Sequence, residues 1–175
     1  VFVPCDQYQA KAIVKAVADL DGPCYVRLGR GAVEDVYDEN YKFELEKGKV
    51  LREGQKIALV ATGMMVQEAL KAADILAKED ISVTVVDMPC IKPIDEELME
   101  KIAKSHELII TCEEHNVYGG LGSAVSEVTS KKSPVRMEMM GMQDTFGESG
   151  TPNELLAKYG LNADHIVEKV KNECR

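Results

Sequence analysis

Apolar residues recur along the chain in two alternating patterns, one typical of buried strands and the other of helices with one buried face. Runs rich in β-branched residues predict strands at 57–61, 81–86, 108–112 and 135–139. Between them, apolar positions three and four residues apart predict helices at 65–78, 95–104 and 123–129. This alternation over residues 56–140 predicts a mostly parallel sheet with helices on both faces, a three-layer α/β/α sandwich.

Two further helices are predicted after residue 150. The first begins at Thr151-Pro152-x-Glu154, which has the spacing of a capping box with proline at the first helical position. It ends at Gly160, and Asn162 is the expected N-cap of a last amphipathic helix.

The first 55 residues lack the regular strand–helix alternation of the rest of the chain. Residues 1–4 and 24–28 read as short strands. Between them a helix is predicted from an N-cap at Asp6 to about Leu20, with a buried face formed by Ala10, Ile13, Val14, Val17 and Ala18. We therefore predict an incomplete α/β domain at 1–31, a linker with a hairpin-like edge strand at 32–55, and a complete domain at 56–175.

Composition narrows the class of protein. The 175 residues are 45% hydrophobic and 29% charged, which is typical of a soluble globular chain. The formal net charge of −9 argues against binding to nucleic acid or to an anionic membrane, since phosphates repel such a surface. A small phosphorylated substrate held by one or two local cations remains compatible with this charge.

The cysteines and histidines indicate neither a disulfide framework nor a zinc site. The five cysteines are odd in number and form no C-x-x-C pair, so we expect reduced thiols in a cytoplasmic protein. The three histidines lack H-x-x-x-H spacing. The chain opens on Val1 rather than Met and inside an expected strand, so we expect it to be a section of a longer protein.

The first candidate for chemistry is a pair of arginines at a predicted strand end. Arg27 and Arg30 alternate with Gly29 and Gly31. A guanidinium at such a turn can bind a phosphate with two hydrogen bonds, and the glycines let a ligand approach the backbone. The alternative is that both arginines pair with carboxylates of an acidic surface.

The second candidate is the glycine-rich stretch at 113–124, predicted as a loop up to residue 122. Its glycine spacing differs from the dinucleotide-binding fingerprint, and Glu113 and Glu114 would repel a pyrophosphate. Proximity of His115 to a glutamate could support acid–base chemistry. We favour a structural role, either close helix–strand packing or a subunit interface, with the two glutamates bonded to backbone N–H groups or to an arginine.

In combination, five segments resemble the C-terminal domain of transketolases, and most of all the C-terminal half of bacterial split transketolases. The order and spacing agree over essentially the whole chain. The segments are Val60-Ala61-Thr62-Gly63, Ile91-Lys92-Pro93-Ile94-Asp95, Glu113-Glu114-His115-Asn116-x-x-Gly119-Gly120-Leu121-Gly122, Phe146-Gly147-x-Ser149-Gly150 and Lys158-Tyr159-Gly160-Leu161. Residues 3–30 resemble the end of the preceding pyrimidine-binding domain.

The resemblance implies transfer of a two-carbon ketol unit between sugar phosphates of the pentose phosphate pathway, with thiamine diphosphate and a divalent cation (Mg²⁺ or Ca²⁺). The cofactor-activating glutamate of the family lies upstream of Val1, so no catalytic residue is expected in this segment, which should be inactive alone. Partners would be upstream transketolase domains or an N-terminal subunit, within a homodimer.

The resemblance also implies roles for individual residues. Arg30 matches the arginine of the family that binds the sugar phosphate, and Arg27 is a weaker companion. Segments at the dimer interface or the mouth of the active site would carry Glu113, Glu114, His115, Asn116, Gly119, Gly120 and Gly122.

Three alternatives remain open. The 1-deoxy-xylulose-5-phosphate synthases resemble the same domain, and they usually carry a phosphate-binding arginine at the position of Pro89. Because this chain has no arginine there, the transketolase interpretation is favoured. The beta subunits of 2-oxo-acid dehydrogenases share the domain, but they look less like residues 113–125. A noncatalytic dimerisation module is the alternative of a different class.

Overall fold

The computed structural model describes residues 1–174. Helices and strands alternate along most of this range. In chain order they are α1 (Gln7–Ala18), β1 (Lys49–Arg52), β2 (Ile57–Ala61), α2 (Met65–Ala77), β3 (Thr84–Asp87), α3 (Glu96–Ser105), β4 (Leu108–Asn116), α4 (Leu121–Lys132), β5 (Arg136–Met142), α5 (Pro152–Lys158) and α6 (Ala163–Glu173).

The strands form one five-stranded sheet in the order β1-β3-β2-β4-β5. β2 pairs in parallel with both β3 and β4, and β5 pairs in parallel with β4. β1 pairs antiparallel with β3 at one edge. The predicted mostly parallel sheet is therefore confirmed, and the carboxyl ends of β2, β3, β4 and β5 lie along the same edge.

Two separate hydrophobic cores cover the two faces of the sheet. Alternate side chains of β2 point to opposite faces, so Leu59 packs with residues of α2 and α6 while Val60 packs with residues of α3 and α4. Every residue of β2 and β3 is buried. The three-layer sandwich expected from the sequence is confirmed.

Most helix starts have the predicted polar cap. The Asp6 carboxylate accepts from Gln9 N at 2.8 Å, Asp95 from Leu98 N at 3.1 Å, and Asn162 from His165 N at 3.1 Å. At α5, Glu154 and Thr151 form the predicted capping box. These bonds satisfy N–H groups that have no partner within the first helical turn.

Three sequence predictions are wrong in detail. Residues 113–116 belong to β4 rather than to a loop, because β5 continues beside them to Met142. β3 begins at Thr84, three residues after its predicted start. α1 ends at Ala18 and buries Gln9 and Ile13, whereas the predicted core residue Val14 is 49% exposed.

The expected strands at 1–4 and 24–28 are reduced to isolated bridges. Phe2 bridges Val26 in parallel and Cys90 antiparallel. Its N–H donates to Tyr25 O at 2.8 Å, and Val3 N donates to Pro89 O at 2.8 Å. The amino-terminal segment thus lies between residues 25–27 and the turn after β3. A small third cluster of Phe2, Ile13 and Cys90 packs beneath it.

A buried carboxylate joins these peripheral segments to the sheet. Asp87, the last residue of β3, is fully buried, and its Oδ2 accepts from Gln9 Nε2 at 2.6 Å and from Tyr37 OH at 2.7 Å. One carboxylate therefore bonds to α1 and to the segment before β1. Burial raises the pKa of Asp87 from 3.8 to about 6, because the two hydrogen bonds offset only part of the lost hydration.

Asp87→Asn should change how stability depends on pH. Between pH 4 and 6 the folded protein holds the Asp87 proton more tightly than the unfolded chain, so this group stabilises the fold at pH 4 and the contribution is lost as pH rises through 6. We expect the wild type to lose roughly 2 kcal/mol relative to Asp87→Asn between pH 4 and pH 7. Urea denaturation of both proteins across this range measures the difference, and parallel pH profiles would contradict it.

Candidate functional site

A cleft of about 420 Å³ lies at the carboxyl end of β2. One wall is formed by residues 3–7, and another by the cleft segment, defined here as residues 28–35. Residues 62–64, which follow β2, line the cleft together with Arg27 and Glu114. This is the position in which ligands of parallel α/β sheets bind.

Arg27 lies in the wall of this cleft beside Glu114. A single contact joins Arg27 Nη2 to Glu114 Oε2 at 3.4 Å, and the two side chains are 31% and 42% exposed. The surface-pairing alternative is therefore confirmed for Arg27. A long, partly hydrated contact of this kind contributes little stability, so the guanidinium can exchange its partner for an anionic ligand at small cost.

Arg30 lies on the cleft segment between Gly29 and Gly31, both of which line the cleft. Its side chain is exposed, and within residues 1–174 it forms no ion pair. In the described part of the chain, Arg30 therefore does not pair with a surface carboxylate. The structure places the two arginines on the same short stretch, one in the wall and one beside it.

Gly63 fixes the floor of the cleft. Its N–H donates to Val3 O at 3.2 Å, and the adjacent Thr62 Oγ1 approaches the same oxygen at 3.3 Å. Gly63 has a φ of +58°, and a Cβ at this position would lie 2.9 Å from Val3 Cγ1. A larger residue would be strained and would displace the first wall of the cleft.

Glu113 replaces the missing side-chain cap of α4. Gly120 is the N-cap residue and has no side chain to accept a hydrogen bond. Instead, the Glu113 carboxylate accepts from Leu121 N at 2.7 Å and from Gly122 N at 2.9 Å. The predicted partners of the two glutamates are confirmed, since Glu113 bonds to backbone N–H groups and Glu114 to an arginine.

The environment of Glu113 is consistent with this structural role. The residue is 2% exposed, and burial raises its pKa while the two N–H donors oppose the rise. A Cβ at Gly120 would overlap Glu113 Oε2, so only glycine leaves room for the carboxylate. His115 Nδ1 is 4.0 Å from the same oxygen, beyond hydrogen-bonding distance, so the Glu–His pair is not arranged for proton transfer.

The remaining residues of the glycine-rich stretch shape an exposed turn. Asn116 donates from Nδ2 to Asp144 Oδ1 at 2.8 Å and accepts from Tyr118 N at 2.9 Å. Gly119 has a φ of +76°, which favours glycine. Gly122 lies within α4, where a Cβ would be 2.7 Å from Met139 Sδ. Close packing of α4 against β4 and β5 therefore explains this glycine.

Sequence reasoning missed Gln67 and Asp87. Gln67 lies on the apolar face of α2 and donates from Nε2 to Cys5 O at 2.7 Å and to Glu34 O at 2.8 Å. A polar residue among buried neighbours, as in Met65-Val66-Gln67, was the available signal. That pattern could show that Gln67 is a buried polar residue. It could not show the hydrogen-bond partners, because both lie 33 or more residues away in the chain.

The described residues show neither a metal centre nor a membrane span. Across residues 1–174, no three His, Cys, Asp or Glu side chains are grouped to hold a metal ion. The donor set of the described residues therefore does not fit a metal–diphosphate group. None of the helices in this range is sufficiently long and apolar to cross a membrane.

An open, mostly parallel sheet covered by helices on both faces, with a cleft at its strand ends, defines a three-layer α/β domain. The chain belongs to the transketolase C-terminal domain family, whose model matches residues 46–166.

Several relatives match nearly the whole chain. A protein assigned as a transketolase C-terminal section in Methanocaldococcus jannaschii is 40% identical, over 100% of this chain and 55% of that protein. The 6-deoxy-6-sulfo-D-fructose transketolase subunit SqwH of Clostridium sp. is 40% identical, over 95% and 52%. A 1-deoxy-D-xylulose-5-phosphate synthase of Desulforudis audaxviator is 37% identical, over 100% and 28%. The chain spans about half the length of these transketolase relatives.

Solved structures agree with this assignment. A split-gene transketolase, described as an inactive beta4 tetramer, superposes with a TM-score of 0.93 at 47% identity, over 98% of this chain and 56% of that chain. Transketolase from Leishmania mexicana superposes with a TM-score of 0.74 at 22% identity, over 98% and 24%, and this match supports the fold alone.

Glu113→Gln tests the role of the buried carboxylate. The amide can accept from one of the two N–H groups but presents a donor to the other, so we expect a loss of about 1–3 kcal/mol in the free energy of unfolding. Glu114→Gln is the matched control, because its exposed contact should be worth about 0.5 kcal/mol or less. Urea denaturation measures both, and equal losses would contradict the assigned role of Glu113.

Proposed function

We propose that this chain is the C-terminal portion of a transketolase, an enzyme that transfers a two-carbon ketol unit between sugar phosphates. In the proposed division of labour, this portion supplies dimer contacts and part of the site for the substrate phosphate. Residues 1–31 would be the end of the pyrimidine-binding domain and residues 56–175 the C-terminal domain. The observation that carries the proposal is the match to a split-gene transketolase over 98% of this chain.

The cofactor of the proposed enzyme would be thiamine diphosphate with Mg²⁺ or Ca²⁺, bound mainly by the upstream domains. The cofactor would supply the carbanion chemistry of ketol transfer. The residues of this chain would bind and orient substrate. The Arg30 guanidinium can bind the substrate phosphate with charge-assisted hydrogen bonds, and Arg27 lies close enough in sequence to contribute.

Electrostatics support a phosphate-binding role for this part of a chain whose net charge is −9. Arg30 is exposed and unpaired within residues 1–174, beside a cleft that also contains Arg27. Glycines on both sides of Arg30 allow a ligand to approach the backbone. Because Asp6, Asp35 and Glu114 line the cleft together with Arg27, the unpaired guanidinium of Arg30 beside it is the local cation that supports binding of one anionic group.

The chain alone should not catalyse ketol transfer. We expect no turnover of xylulose 5-phosphate and ribose 5-phosphate when thiamine diphosphate and Mg²⁺ are added to it, because no cofactor-activating glutamate is expected in this portion. Turnover should appear when its own upstream section is supplied. A coupled assay of product formation measures both, and turnover by the chain alone would refute this division of labour.

Arg30→Ala should weaken substrate binding in the reconstituted enzyme. Loss of a charge-assisted phosphate contact should raise the KM for sugar phosphates by about 10–100-fold. Arg52→Ala is the matched control, because Arg52 lies on the edge strand β1 and pairs with Asp74 at 2.6 Å. Initial-rate kinetics measure both variants. An unchanged KM in Arg30→Ala would remove Arg30 from the substrate site.

A 1-deoxy-xylulose-5-phosphate synthase is the second candidate, favoured by relatives 35–37% identical over almost the whole chain. Against it, the position where the resemblance places a phosphate-binding arginine is a buried proline, Pro89, whose carbonyl oxygen accepts from Val3 N. The reconstituted enzyme discriminates the candidates. Consumption of pyruvate and glyceraldehyde 3-phosphate with release of CO₂ would favour the synthase.

A further inference from the structure

The cleft segment, residues 28–35, has few bonds of its own. None of residues 28–33 makes a backbone hydrogen bond to any other residue between 1 and 174. Upstream, the last such bond is from Arg27 N to Phe2 O at 2.8 Å. The conformation of the segment that carries Arg30 is therefore determined by how its two ends are attached.

Gln67 attaches the downstream end from the buried side, and exposed contacts from Gln7 to Asp35 and from Lys71 to Glu34 also hold the segment. Gln67 Nε2 donates to Glu34 O on the cleft segment at 2.8 Å and to Cys5 O in the opposite wall at 2.7 Å. One amide from α2 thus bonds to both walls of the cleft. Gln67 is 6% exposed and Cys5 is 1% exposed, so water cannot readily replace the bond to Cys5 O, whereas the bond to Glu34 O is part-buried.

Asp6 supports the same attachment from the other side. Its Oδ2 accepts from Val36 N at 2.9 Å and from Tyr37 N at 2.7 Å, immediately after the cleft segment. Its Oδ1 caps α1. Asp6 has this additional task at the helix terminus, whereas the described bonds of Gln67 serve the two walls of the cleft. A substitution of Gln67 therefore tests the attachment of the cleft segment without removing a helix cap.

We propose that Gln67 is a positioning residue: its side-chain amide fixes the separation of the two cleft walls and thereby the location of Arg30 toward the substrate phosphate. This inference rests on the proposed function, in which Arg30 binds that phosphate. Gln67 itself would not touch the substrate. Fixing the segment in advance reduces the ordering that binding would otherwise require.

The first test measures the attachment without any ligand. Gln67→Met keeps the side-chain length and removes both donors. We expect amide hydrogen exchange at Val36 and Tyr37, whose N–H groups bond to Asp6, to accelerate by at least ~10-fold, because two of the bonds that oppose local opening of the adjoining segment are lost. Exchange in β2 and β4 should stay unchanged. Gln55→Met, at an exposed position before β2, is the matched control.

The second test measures the consequence for substrate. In the reconstituted enzyme, Gln67→Met should raise the KM for a phosphorylated acceptor by about 10-fold while kcat stays within ~2-fold. The KM for a non-phosphorylated acceptor should not change. Gln67→Asn provides a milder change if Gln67→Met folds poorly, since its shorter amide reaches at most one of the two carbonyl oxygens.

The outcomes separate this inference from the proposed function. Exchange at Val36 and Tyr37 that matches the control, or that rises uniformly over the chain, would overturn the positioning role. So would equal effects on phosphorylated and non-phosphorylated acceptors. A wild-type enzyme without ketol transfer would refute the proposed function itself, whereas an active wild type with unchanged kinetics in Gln67→Met would refute only the role of Gln67.

Discussion

Burial of β2 on both faces is the constraint on which the rest of the molecule depends. A strand in the centre of a parallel sheet has no solvated side, so helices must cover both faces. α2 and α6 cover one face, and α3 and α4 cover the other. Parallel pairing also brings several strand ends to one edge, and the cleft follows from that placement. The position of the cleft is therefore a consequence of the parallel pairing that buries β2.

Polar groups connect the amino-terminal residues to this core. Asp87 bonds to α1 and to Tyr37, and Gln67 bonds to residues on both sides of the cleft. The Asp87 and Gln67 side chains are buried, so protein groups replace much of the hydration that they have in the unfolded chain. Residues 1–41 are consequently an integral part of the folded chain, even though few regular strand bonds join them to the sheet.

Sequence reasoning worked best where burial alone decides the structure. The bounds of β2 were predicted exactly as observed, and α2 to within one residue, because their apolar patterns have no competing interpretation. It failed for the end of β4, where the polar residues 113–116 continue the strand and Asn116 pairs with Met142 after a shift in register. It also missed Gln67, because the partners of a buried amide are set by tertiary contacts that no local pattern records. Residue type and glycine spacing singled out Arg27, which lines the cleft, and Arg30, which lies beside it, whereas the Glu114 partner of Arg27 could not be predicted from the sequence.

The fit between Glu113 and Gly120 has a consequence for how this fold can diverge. The carboxylate occupies the space in which a side chain at position 120 would lie, and it also supplies the cap that such a side chain could have provided. Neither position can change freely by itself. A serine or aspartate could take over the cap only if residue 113 became smaller at the same time, so the two sites are expected to vary as a pair across evolution.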